Sequence, residues 1–186
     1  METTIKKQGI AKEVAKTKSP ANQGLRDLFE GGLKDIYWAE KVLTKTLPKM
    51  VKNATTPELV TALNSQLKEK QEHVSRLEQI FKTSGIKPSA QKCEAMEGLL
   101  KESNTLMATT QMGVVRDAGL IAAGQKVKHY EIASYGTLHA YAKTLGEDQA
   151  AKLLEMTLAE EKKTDAILTA IAMSEINPNA ADKMKI

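Results

Sequence analysis

Four acidic residues stand where a soluble helix normally keeps its apolar side chains. Glu40 interrupts the series Phe29, Leu33, Ile36, Leu43, Leu47. Glu131 interrupts Leu120, Gly124, Val127, Ser134, Leu138. Glu161 and Asp165 interrupt Leu154, Leu158, Leu168, Ala172. Each series steps by three or four residues, so at about 100° per residue these acids fall on the buried stripe of a helix rather than beside it. A fourth series, Leu59, Leu63, Leu67, Val74, Leu77, Phe81, holds Gln66, Lys70 and His73 near its centre and Glu69 at its flank. An ionised carboxylate is costly to bury without a partner. Acids placed mid-stripe on three separate helices therefore point to a shared polar site. Glu and Asp are hard oxygen ligands that suit iron or manganese, and facing helices can bring four or more of them together. Lys70 and Lys128, the latter one turn before Glu131, could reach the same place and replace metal charge with salt bridges. Snorkelling to solvent is the plain alternative for both.

Four long helices must position these residues. The first runs from about Leu25 to Asn53, with Pro48 near its end. Thr56-Pro57-Glu58 starts the second with a cap residue, a proline at the first helical position and an acid in the first turn. It stops at Ser84-Gly85, with Pro88 just beyond. One or two short helices fit Cys93 to Thr110. The third long helix spans about Val114 to Leu145 and ends at Gly146; the fourth spans about Asp148 to Glu175 and ends at Asn177-Pro178. Short first–second and third–fourth links make antiparallel neighbours, and the longer central link makes a crossover. The expected fold is all-α: a ferritin-like four-helix bundle of two antiparallel hairpins. The expected organisation is a disordered basic tail at 1–22, the bundle at 23–176 and a frayed end at 177–186.

Composition agrees with this. Hydrophobic residues make up 41% and aromatics only 4% of 186 residues, and no alternating β-branched or aromatic runs suggest a sheet. No apolar run approaches the ~20 residues of a membrane span, and the first residues hold no secretory signal. The single Cys93 cannot form an internal disulfide, which fits a reducing, cytoplasmic setting. The net charge of +4 is concentrated in the tail, where Lys6, Lys7, Lys12, Lys16 and Lys18 face only Glu2 and Glu13. Such a tail offers weak, salt-sensitive contact with nucleic acid at best. Tyr37, Tyr130 and Tyr135 flank the acids and read as core residues that could also hydrogen-bond them. His129 and His139 read as edge residues, Cys93 as a packed small side chain. Gly119, Gly124 and Gly136 call for close helix–helix approach, because glycine is expensive in a helix.

At these residues the chain resembles the YciE/YciF-type ferritin-like stress proteins of bacteria. The likeness runs from about Leu25 to Ile171. Its carriers are 35–40 (DIYWAE), 76–78 (RLE), 93–99 (CEAMEGL), Asp117 through Leu138, notably 129–138 (HYEIASYGTL), and 157–161 (TLAEE). The resemblance implies a homodimeric bundle, stress-related expression and a carboxylate-rich dimetal site. Iron with oxygen or peroxide chemistry, of a ferroxidase kind, is the activity class expected if metal binds, with manganese as the other metal. The ligands it implies are Glu40, Glu69, Glu131 and one of Glu160 or Glu161, of which the helical wheel prefers Glu161. The chain departs from the family pattern where that site should be. Gln66 replaces a usual His, Lys70 a usual Thr and Lys128 a usual Glu. His73, one turn after Glu69, is the available substitute ligand. Two versions stand: a reduced metal site on Glu40, Glu69, Glu131, Glu161 and His73, with Asp165 nearby, or a metal-free site in which Lys70 and Lys128 pair with the acids. The second is preferred, and with it a non-catalytic interaction or structural module is the competing function.

Overall fold

The computed structural model of the chain describes residues 24–182. The tail expected at 1–22, with its lysines, lies outside the described residues, as do residues 183–186. Among the described residues the elements are helices α1 (Leu25–Asn53), α2 (Pro57–Thr83), α3 (Glu94–Thr109), α4 (Val114–Leu145) and α5 (Asp148–Ile171), a π-helical turn (Ala172–Ile176) and a short α6 (Asn177–Asp182).

The chain's own bonds show the topology. At one end Arg26 donates to Ser84 O at 2.6 Å and pairs with Glu147, and Ser84 Oγ donates to Glu147 at 2.8 Å. This ties the start of α1 to the end of α2 and to the α4–α5 turn. Gln91 N donates to Lys34 O, and Lys49 Nζ reaches Asn104 at 2.6 Å, so α3 runs alongside α1 in the same direction. It carries the chain back to the far end, where α4 begins. There buried Asp117 accepts from the backbone N–H and hydroxyl groups of both Thr55 and Thr56. Thr56 N–H is an orphan donor at the start of α2, so a side chain from α4 caps the helix that Thr56 does not cap itself. The result is two antiparallel hairpins, α1–α2 and α4–α5, joined by a crossover helix that packs on α4 and α1.

Two apolar clusters fill the bundle, one around Phe29, Ile36, Phe81 and Leu154, the other around Leu47, Leu59, Leu120 and Leu168. The polar residues discussed below lie between them along the helices. Gly146, at φ 71°, closes α4 in the left-handed conformation that glycine adopts without cost. At Gly119 a Cβ would come within 2.6 Å of a Leu106 methyl, so Leu106 of α3 packs directly over the bare backbone of α4 and would have to shift for any larger residue. Gly124 and Gly136 have ordinary clearance, and the close approach expected of them is not found.

The far end of the chain corrects one expectation. Helix does not stop at Asn177-Pro178 but continues to Asp182. Proline lacks an N–H and its ring collides with the carbonyl four residues back in a regular helix. Here Asn177 N reaches back five residues to Ala172 O, and this wider turn takes up the proline without ending the helix.

Candidate functional site: a buried carboxylate–lysine cluster

Four helices contribute one buried ionisable group or more to a single cluster: Glu40 from α1, Lys70 and His73 from α2, Lys128 and Glu131 from α4, and Glu161 from α5. None is more than 2% exposed. Each sits on its helix's apolar stripe, so burial of the stripes carries these groups inside together.

Lys70 is the hub. Its ammonium donates to Glu40 at 3.2 Å, to Glu131 at 2.5 Å and to Glu161. Lys128 donates to Glu161 at 2.5 Å and pairs with the second oxygen of Glu131 at 2.8 Å. His73 holds Glu40 at 3.3 Å and Glu161 at 3.1 Å through Nδ1, while its Nε2 meets Glu160 at 2.8 Å. Glu160 is about one-third exposed and is gripped by Arg76 at 2.5 and 2.8 Å. Tyr135 donates to Glu40 at 2.7 Å.

Burial is the largest influence on Glu40, Lys70, His73, Glu131 and Glu161, and the neighbours decide where each one ends. It disfavours ionised Glu161, but Lys70 and Lys128 overcome it and hold this carboxyl well below the usual range. Glu40 is likewise lowered against burial by Lys70 and His73. For Glu131, burial and the Glu161 charge outweigh the two lysines and raise it to about 7. Burial pushes the His73 imidazolium down, yet its hydrogen bonds to Glu161 and Glu40 carry it up to about 9. Lys70 is held well above its usual value by the three carboxylates, again against burial. With all six groups ionised, three carboxylates face two ammoniums and one imidazolium, and the charges cancel.

The donor set alone suits a transition metal. One ligand atom from each of Glu40, His73 and Glu161 lies within 4.8 Å of the others, and carboxylate with imidazole is a familiar iron, manganese or zinc environment. The lysines do not suit it. The Lys70 ammonium bonds to two of those three residues and stands 3.5 Å from the His73 ring nitrogen. A cation cannot be coordinated by atoms that surround another cation. Glu40 Oε2 and Glu131 Oε2 accept no well-directed hydrogen bond, but each faces an ammonium, at 3.2 and 2.8 Å. They are satisfied as ion-pair partners. With Lys70 and Lys128 in place the residues do not fit a dimetal centre.

Two residues expected at the site lie elsewhere. Glu69 is half-buried at the α2–α5 edge and accepts from Thr164 at 3.1 Å. It precedes Lys70 by one position, about 100° around the helix, and so misses the core. Asp165, about 40° around α5 from Glu161, is 21% exposed and faces His129 at 3.5 Å and Gln125. His129 is a surface residue. The role of Arg76 was not read from the sequence. It marks no stripe, and its function is to hold Glu160 against His73 at the mouth of the cluster. Cys93 caps α3 by accepting from Met96 N and lies 3.0 Å from Tyr130 Oη.

Comparison with known proteins places this geometry in a family. Residues 24–181 match the model described as Domain of unknown function (DUF892). The chain belongs to this family. YciF of Escherichia coli (strain K12) is 45% identical to this DUF892 chain over 160 residues, which are 86% of the chain and 96% of YciF. The crystal structure of YciF, an E. coli stress protein, superposes with a TM-score of 0.81 at 44% identity, covering 84% of this chain and 99% of that one. YcfI of Rhodopseudomonas palustris gives a TM-score of 0.78 at 44% identity, covering 82% and 98%. A Xanthomonas campestris protein at 18% identity, with a TM-score of 0.69 and 88% and 100% coverage, shares the fold alone. The DUF892 chain is thus an all-α, ferritin-like bundle homologous to a stress protein. No described helix is long and apolar enough to cross a membrane.

Proposed function

We propose that the protein is a stress-associated, cytoplasmic ferritin-like bundle in which two lysines replace the metals of a carboxylate centre, and that it works as a non-catalytic structural homodimer. The observation that carries this reading is Lys70: one ammonium bonded to carboxylates from three other helices. An ion pair of this kind gives no redox chemistry and no open coordination position. It does give a neutral core that joins all four helices. The stress role is supported by likeness to YciF, and the buried, unpaired Cys93 thiol is in keeping with a reducing compartment.

Protein purified without added metal should contain no stoichiometric iron or manganese by elemental analysis. Ferrous iron added under oxygen should leave the near-ultraviolet spectrum without an oxo-bridged band. A stoichiometric metal or such a band removes the reading and restores an iron–oxygen activity. That competing reading is favoured by the convergence of Glu40, His73 and Glu161, and it requires the Lys70 ammonium to leave its place. The dimer is tested separately: equilibrium sedimentation should give twice the chain mass, and a monomer at micromolar concentration would discard that part alone.

A further inference from the structure

Beside the charged cluster lies a small cavity of about 20 Å³. One water-sized guest needs roughly 10–15 Å³, so there is room for one. The wall is aliphatic except for three side chains, Gln66, Lys70 and Lys128. All the polar side chains of the wall can donate. No carboxylate, hydroxyl or imidazole lines it.

Gln66 supplies the decisive detail. It is 4% exposed, and its Nε2 has no hydrogen-bond partner. A buried donor left unpaired is costly, and each such group in a folded protein calls for an explanation. Lys128 has a donor to spare as well. Its ammonium carries three hydrogens and meets two carboxylate acceptors among the described residues. Water is a poor answer to such a wall. Its oxygen would accept, but for its own hydrogens the wall's side chains offer only the amide oxygen of Gln66, on the same group whose nitrogen it has to satisfy. A guest that only accepts leaves nothing unpaired, and the Lys128 hydrogen that meets no carboxylate among the described residues makes its strongest bond to one that is negative.

We propose that this cavity is a binding site for a single monatomic anion of the halide class, held by Gln66 Nε2 and Lys128 Nζ. It is a site distinct in chemistry from the cation centre that the family's carboxylates suggest.

Bromide is the probe. Crystals of the full chain soaked in sodium bromide should show one anomalous peak in the cavity, within hydrogen-bond reach of both nitrogens. In solution, melting in bromide or chloride should exceed melting in methanesulfonate, too large for the cavity, at equal ionic strength. A gain of about 2–4 °C is the scale for a domain of this size. Gln66→Met keeps the side chain's length and removes the donor, and should erase the difference between the salts. Density that fits water and carries no anomalous signal overturns the proposal. So does equal melting in the two salts, or a difference that persists in Gln66→Met. The bromide peak decides the matter even where that variant does not fold.

Discussion

Replacing Lys70 with Met should cost this protein roughly 3–5 kcal/mol of folding stability, the range for removing one partner from a buried ion pair. Met keeps most of the stem's volume, so a packing void is not the main cause of the loss. What disappears is the ammonium that Glu40, Glu131 and Glu161 share. Lys128 still faces Glu131 and Glu161, and only His73 and Tyr135 remain for Glu40. Urea unfolding of both proteins, in chelator, measures the difference. Lys70→Ala carries the argument further, because it also opens space at the centre of Glu40, His73 and Glu161. A divalent transition metal should then raise the variant's stability, by about 2.7 kcal/mol at a hundredfold excess over its dissociation constant, and leave the parent unchanged. Parent-like stability of Lys70→Met in chelator would show that the ammonium is not what holds the acids. Equal metal stabilisation of parent and Lys70→Ala would show that it does not stand in a metal's place.

The positions of Glu40, Glu131 and Glu161 could be read because a helix buries a fixed stripe, and an acid near the middle of that stripe is carried inside with it. The same geometry made Lys70 and His73 readable as interior residues. Helix ends were equally plain where the chemistry is local: Pro57 after Thr56, and Gly146 after Leu145. Asp165 and Glu69 show the limit of a wheel. Glu69 was placed at a flank and Asp165 on the stripe itself, yet which of them faces core or solvent depends on how the helix is rotated against its neighbours, and that is fixed by packing from distant parts of the chain. The bonds that Asp117 and Arg76 make could not be read for a related reason. Their partners, Thr55 and Glu160, come from other elements, and no periodicity within one helix records such a bond. The helix that continues past Pro178 shows a local rule yielding to a rarer backbone geometry.

Stability should also fall steadily as pH rises from about 6.5 to 9. His73 has a raised folded value of about 9 against an unfolded value of about 6.5. The native state therefore holds this proton more tightly. The stabilisation is complete below about pH 6.5 and is lost as pH climbs through 9. A shift of this size corresponds to on the order of 3 kcal/mol. Glu131, raised to about 7, acts in the same direction over a lower window: its folded form prefers the proton, so ionisation on the way from about pH 4.5 to 7 weakens the fold. Glu40 and Glu161 have the opposite sign. Their lowered values make them stabilising above the ordinary carboxylate range, and that contribution fades only as acid reaches their own folded values. The four together place the maximum on the acid side of neutrality. Urea midpoints collected from pH 5 to 9.5 should trace that decline. His73→Gln, which keeps a hydrogen-bonding side chain but cannot be charged, should flatten the portion above pH 6.5. A parent profile that is level or rising between pH 6.5 and 9 would mean that His73 is not the protonated third cation of the cluster. Its contacts with Glu40 and Glu161 would then be the hydrogen bonds of a neutral ring and not ion pairs.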